Sequence, residues 1–186
     1  MKKTVLVLLS AAVVTGMCAM PSCKKKENAT PVATMTLYDS LGGTTMVADP
    51  SNSGQMIEKG RLGIRSVVDS TIFVIAADPQ LNGFFPVLLA EVTAGNLSGF
   101  GALSKSLTDF FCVATGAKNF TYAGKSMVAA HDPAQNPRMN GKAAAADFDR
   151  FVADLVVGAK KVGLSDQLIG QVGAVVATTK TQVVQK

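Results

Sequence analysis

The sequence contains no tryptophan, two tyrosines, one histidine and three cysteines in 186 residues. Each scarcity excludes a class of chemistry. Cys18 and Cys23 lie in the N-terminal segment, so Cys112 is the only thiol in the body of the chain. A disulfide framework and a cysteine-built zinc cluster are therefore both excluded. With His131 as the sole histidine and no cysteine cluster, zinc, copper and di-metal centres are disfavoured, because each needs three or more protein ligands. Aromatic residues make up 6% of the chain, and its formal net charge is +5. Five of the 18 basic residues (Lys2, Lys3, Lys24, Lys25 and Lys26) fall in the first 26 positions, leaving 13 basic against 13 acidic residues. A neutral body without a basic and aromatic surface pattern argues against nucleic acid as a partner.

What is present is apolar residues, at 48%, and they come in two kinds. The first is the short run "VLVLLSAAVV" behind Lys2 and Lys3, the layout of a secretory signal over residues 1–22 and too short to span a bilayer. Ser22 and Cys23 then resemble a bacterial lipobox, in which the new N-terminal cysteine carries the lipid, although Met20 and Pro21 depart from the pattern. Ordinary signal cleavage nearby is the alternative. Residues 23–35 read as a lipidated Cys23 and a polar tether, leaving residues 36–186 as the folded domain. The expectation is an exported protein of the periplasm or outer membrane, held to the membrane by its lipid.

The second kind is periodic. Apolar residues recur at helical spacing over 63–79, 102–116, 142–163 and 165–184, and no stretch shows strand alternation. Ser165 is a candidate N-cap, and Lys160 and Lys161 suit a helix C-terminus. Phe148, Phe151, Leu155, Ile169, Val172 and Val176 form the expected core. Three aperiodic stretches, 42–63, 92–101 and 132–141, read as loops. The fold class is all-α.

His131 sits four residues after Met127, on the same face of a helix that Asp132-Pro133 terminates. A lone histidine in a packed protein is often just hydrogen-bonded. The one metal cofactor that needs only a single strong protein ligand is haem, whose porphyrin supplies four nitrogens. Covalent c-type attachment is excluded because there is no C-x-x-C-H.

The segments "LYDSLGG" (37–43), "ADPQLNGFF" (77–85), "LTDFFCVATGA" (107–117), "YAGKSMVAAH" (122–131) and "LSDQLIGQV" (164–172) fall in the order of a known family. The chain resembles a truncated haemoglobin of group I, a bacterial globin built as a two-over-two helical sandwich, over most of residues 36–184. The resemblance implies non-covalent haem b, with His131 as the proximal iron ligand and a diatomic gas (dioxygen, nitric oxide or carbon monoxide) as the partner; it implies nothing about an electron donor. Met127 and Tyr122 match pocket-wall positions, Phe85 a phenylalanine lying flat on the haem, and Leu103, Leu107 and Phe111 distal-helix positions. Ile72 stands where the family usually has a ligand-bonding tyrosine, and Leu103 and Leu107 where it often has glutamine. Asn96 or Ser98, or a water, could supply a replacement donor. The chain has no distal histidine or arginine to assist peroxide cleavage, so peroxidase activity is disfavoured, and a gas-binding or redox haem protein is expected rather than an enzyme. The alternative is a haem-free, globin-like lipoprotein used for protein interaction.

Overall fold

A computed structural model describes residues 34–186. The proposed signal segment, Cys23 and most of the tether lie outside the described residues. The helices are α1 (Leu37–Ser40), α2 (Lys59–Ala77), α3 (Pro86–Thr93), α4 (Ser98–Ala114), α5 (Met127–His131), α6 (Ala145–Lys161), α7 (Asp166–Ala177) and α8 (Lys180–Val183). A single 3-10 turn, Asn82–Phe84, precedes α3. Among the described residues no helix is long and apolar enough to cross a membrane.

Helix α2 packs against α4 on one side and α6 on the other, and α6 packs against α7. The core lies between these two pairs, which makes the two-over-two arrangement. Helix α6 shows why it forms. Phe148, Phe151, Val152, Leu155, Val156 and Ala159 recur at spacings of three and four, and Phe148, Leu155 and Ala159 are fully buried against Ile64, Val68, Ile72, Val172 and Val176. The α2–α6 crossing is close because Gly158 has no side chain. A Cβ there would lie 2.5 Å from Thr71 Oγ1 and 2.8 Å from Thr71 Cα. Ser165 caps α7, accepting the Leu168 N–H, as the sequence suggests.

Several expectations need correction. The stretch 42–63 is not a plain loop. It holds a two-stranded antiparallel hairpin, β1 (Met46–Ala48) with β2 (Met56–Glu58), and then the first turn of α2. Each strand has only three residues, too few for an alternating pattern to show. Asp49 organises the turn by accepting from Ser51 N–H and Asn52, and Arg65 on α2 pairs with it at 2.7 Å. Helix α2 starts at Lys59 rather than 63, although Gly60 sits in its first turn. There the glycine lets Gly43 and the Tyr38 ring approach, since a Cβ would come within 2.9 Å of both. The 92–101 stretch is shorter than expected as a loop, because α3 runs to Thr93 and α4 begins at Ser98. Pro86 opens α3 at a position where its missing N–H costs nothing. The C-terminal helix is broken at Thr178 and Thr179, whose hydroxyls bond back to the Val175 and Val176 carbonyls.

Candidate haem site

Helix α5 has five residues, and the sequence explains both of its ends. Ser126 caps it, its hydroxyl accepting the Ala129 N–H at 3.2 Å. Asp132 is extended, as the residue before a proline must be. His131 occupies the last turn, half-buried, with its Nδ1 2.8 Å from the Met127 carbonyl oxygen. A carbonyl only accepts, so Nδ1 is the donor, and in the neutral ring Nε2 keeps its lone pair. That is the tautomer a metal takes, with the second ring nitrogen oriented by a backbone acceptor.

Beside α5 lies a cavity of about 580 Å³. Its walls come from four segments: Phe110 and Ala114 of α4, Tyr122, Ser126 and Met127 before and at the start of α5, Val175 and Thr178 at the end of α7, and Thr179 and Gln182 at α8. Phe110 is the aromatic centre of this wall. Its ring meets Tyr122 edge-on at 5.7 Å and Phe111 edge-on at 5.4 Å. The Tyr122 hydroxyl donates to the Lys125 carbonyl at 2.8 Å, which turns the ring body rather than its polar tip to the cavity.

The residues singled out by sequence divide into three groups. Tyr122 and Met127 are on the cavity wall, and His131 is one helical turn from Met127 without itself lining the wall. Leu103 and Leu107 are half-buried against the core on the α4 stripe that leads to Phe110. Ile72 and Phe111 are in the core, at 6% and 8% exposure. Phe111 lines a separate, small apolar void of about 20 Å³ with Val67, Val68, Leu155 and Val172. Phe85 is half-buried at the N-cap of α3, beyond the core cluster. Asn96 and Ser98 are both exposed, and the Asn96 carbonyl oxygen is taken by the Ser98 N–H.

Phe110 was legible in the sequence: 103, 107, 110 and 114 repeat at four, three and four, so the stripe continues through Phe110 and Ala114. Phe111 lies 100° further round and turns into the core. Val175, Thr178, Thr179 and Gln182 carried no signal, because the cavity assembles them by tertiary packing.

The remaining ionisable groups do not compete as ligands. Burial pushes the Cys112 thiol up to about 11, so it stays protonated and inert. Among the described residues no three His, Cys, Asp or Glu side chains gather as a metal cluster requires. The wall is apolar and aromatic at Phe110, Ala114, Tyr122, Met127 and Val175 and polar at Ser126, Thr178, Thr179 and Gln182, and the cavity has the volume of a ligand pocket; the apolar side fits an apolar group, with the His131 imidazole outside the wall, one helical turn from Met127.

Solved structures were compared with the chain. A variant of the truncated haemoglobin of Tetrahymena pyriformis in its Fe(III) form matches with a TM-score of 0.57 and 21% identity, over 81% of this chain and 99% of that one. This is a truncated-globin fold. The 2/2 haemoglobin of a Synechococcus species, in the cyanomet state with covalently attached haem, matches with a TM-score of 0.55, 21% identity and the same coverage. No family model matches the chain, and no curated protein matches it. On the truncated-globin fold α2, α4, α6 and α7 form the sandwich, and α5 is the short element that carries the only histidine.

Proposed function

We propose that the protein is a haem-binding globin of the group I truncated type, exported and lipid-anchored through Cys23, with His131 as the proximal iron ligand. What supports this reading is the His131 ring: its Nδ1 donates to Met127 O, which in the neutral ring leaves the Nε2 lone pair free, and Met127, one helical turn away, lines a 580 Å³ cavity. Bound there, haem would supply an iron that takes a diatomic gas. Phe110, Tyr122 and Met127 would hold the macrocycle by apolar contact, and His131 Nε2 would hold the iron. Non-covalent binding is supported by the lack of a C-x-x-C-H motif and by Cys112, which is buried and off the cavity wall. Ile72, Leu103 and Leu107, which the resemblance puts on the far side, lie against the core and off the cavity wall, and none carries a side-chain hydrogen-bond donor.

Titration with haemin, followed by absorption, tests this. The wild type should give a sharp Soret band with tight one-to-one binding, and His131→Ala should lose it. An unchanged band and affinity in His131→Ala would exclude His131 as ligand. A protein that takes up no haemin at all would favour the haem-free interaction module, for which Phe73, 62% exposed and stacked on Phe100, and Leu97, 61% exposed, offer apolar surface.

A further inference from the structure

Helix α5 is too short to hold its own shape. An isolated helix under about 12 residues is marginal in water, and the last four carbonyls of any helix lack intrahelical partners. Yet the His131 tautomer depends on this helix, because the Met127 carbonyl must stay one turn below the ring. Two side-chain amides from elsewhere in the chain take up its loose carbonyls. Asn136 Nδ2 donates to Ala130 O at 2.7 Å, and Gln185 Nε2 donates to Val128 O at 2.9 Å.

Both amides are themselves anchored. The Gln185 backbone N–H donates to Ala143 O at 2.9 Å, tying the segment after α8 to the approach to α6. Asn136 belongs to the 132–141 loop. The Asp132 carboxylate grips that loop through the Ala134 N–H and Gln135, and Asn140 fixes its far end to the Gly83 and Phe84 carbonyls. One clamp therefore comes from the loop that follows α5 and the other from the C-terminal segment.

We infer that Asn136 and Gln185 are positioning residues for His131, acting as a two-point amide clamp that keeps α5 helical and so keeps the ring protonated at Nδ1 with Nε2 available to a metal. The inference rests on the haem reading for its purpose, but the clamp itself can be measured without haem.

The test uses the single histidine. Protein labelled with nitrogen-15 histidine contains one labelled ring, and two-bond proton–nitrogen correlations at about pH 8 report which nitrogen is protonated. Asn136→Leu and Gln185→Met remove each donor while keeping side-chain bulk, and circular dichroism checks that the variants fold. The wild-type ring should be Nδ1–H alone. The double variant should show a mixture with Nε2–H, and Gln185→Lys, which restores a donor, should return the ring toward Nδ1–H. Haemin affinity should fall about 10- to 100-fold in the double variant, as for loss of partners that orient metal ligands. A folded double variant whose ring stays wholly Nδ1–H overturns the clamp, and a tautomer shift with unchanged haemin affinity overturns its positioning role. If the wild type binds no haemin, the haem reading fails while the tautomer comparison still decides the clamp.

Discussion

Replacing Asp154 with asparagine should flatten the pH dependence of stability. Asp78, at the end of α2, and Asp154, on α6, are 5% and 2% exposed, and a single guanidinium, Arg150, bridges them. Asp78 also accepts the Gln80 N–H at 2.9 Å, whereas Asp154 Oδ2 is buried without a partner. Two buried carboxylates beside one cation do not both ionise. The Arg150 hydrogen bond, then the Gln80 N–H, hold Asp78 below the usual carboxylate range. Burial first, then the neighbouring Asp78, push Asp154 above it. A protonated Asp154 turns its orphan oxygen into a donor. The two shifts act in opposite directions. Stability from Asp78 is present above the unfolded value of about 3.9 and lost as pH falls through its lowered folded value. Stability from Asp154 is full below about 3.9 and lost as pH rises towards its raised folded value. In that upper window the folded state holds a proton that the unfolded chain does not, so stability drops by about 1.4 kcal/mol per pH unit. Asp154→Asn keeps a donor toward Asp78 and removes the titration. Urea unfolding followed by circular dichroism, in steps from about pH 4 to pH 8, should show the wild-type curve falling relative to the variant's above about pH 4. Parallel curves would refute the shared proton.

Gly158→Val should destabilise the fold by at least about 1–3 kcal/mol, because the new side chain has to displace Thr71 of α2; thermal unfolding measures it. Cys23→Ser should move the protein from membranes to the soluble fraction, and a mass spectrum with an unmodified N-terminus elsewhere would defeat the anchor.

The sequence exposed most where one helix face meets one core. Phe148, Leu155 and Ala159 on α6, and Ile169, Val172 and Val176 on α7, are buried as their spacing requires. It concealed elements whose reason is tertiary. Gly60 disguises the start of α2, because a glycine lowers helix propensity yet is needed there for the approach of Tyr38. The three-residue strands are held by Asp49 and Arg65 across 16 positions, a pairing no local pattern reveals. In the site, the Met127–His131 pairing was visible as an i,i+4 relation, and the ring hydrogen bond follows from it. The Asn136 and Gln185 donors were not visible, because they arrive from 6 and 57 positions away and their residue types are common on any surface.

The central claim is that His131 ligates haem iron through Nε2. Because the chain has one histidine, nitrogen-15 histidine labelling gives a single ring to follow after haem is added and reduced. One strongly hyperfine-shifted ring N–H, from Nδ1, should appear in step with the Soret band. Ring signals that stay at their haem-free positions while haem is fully bound would contradict it.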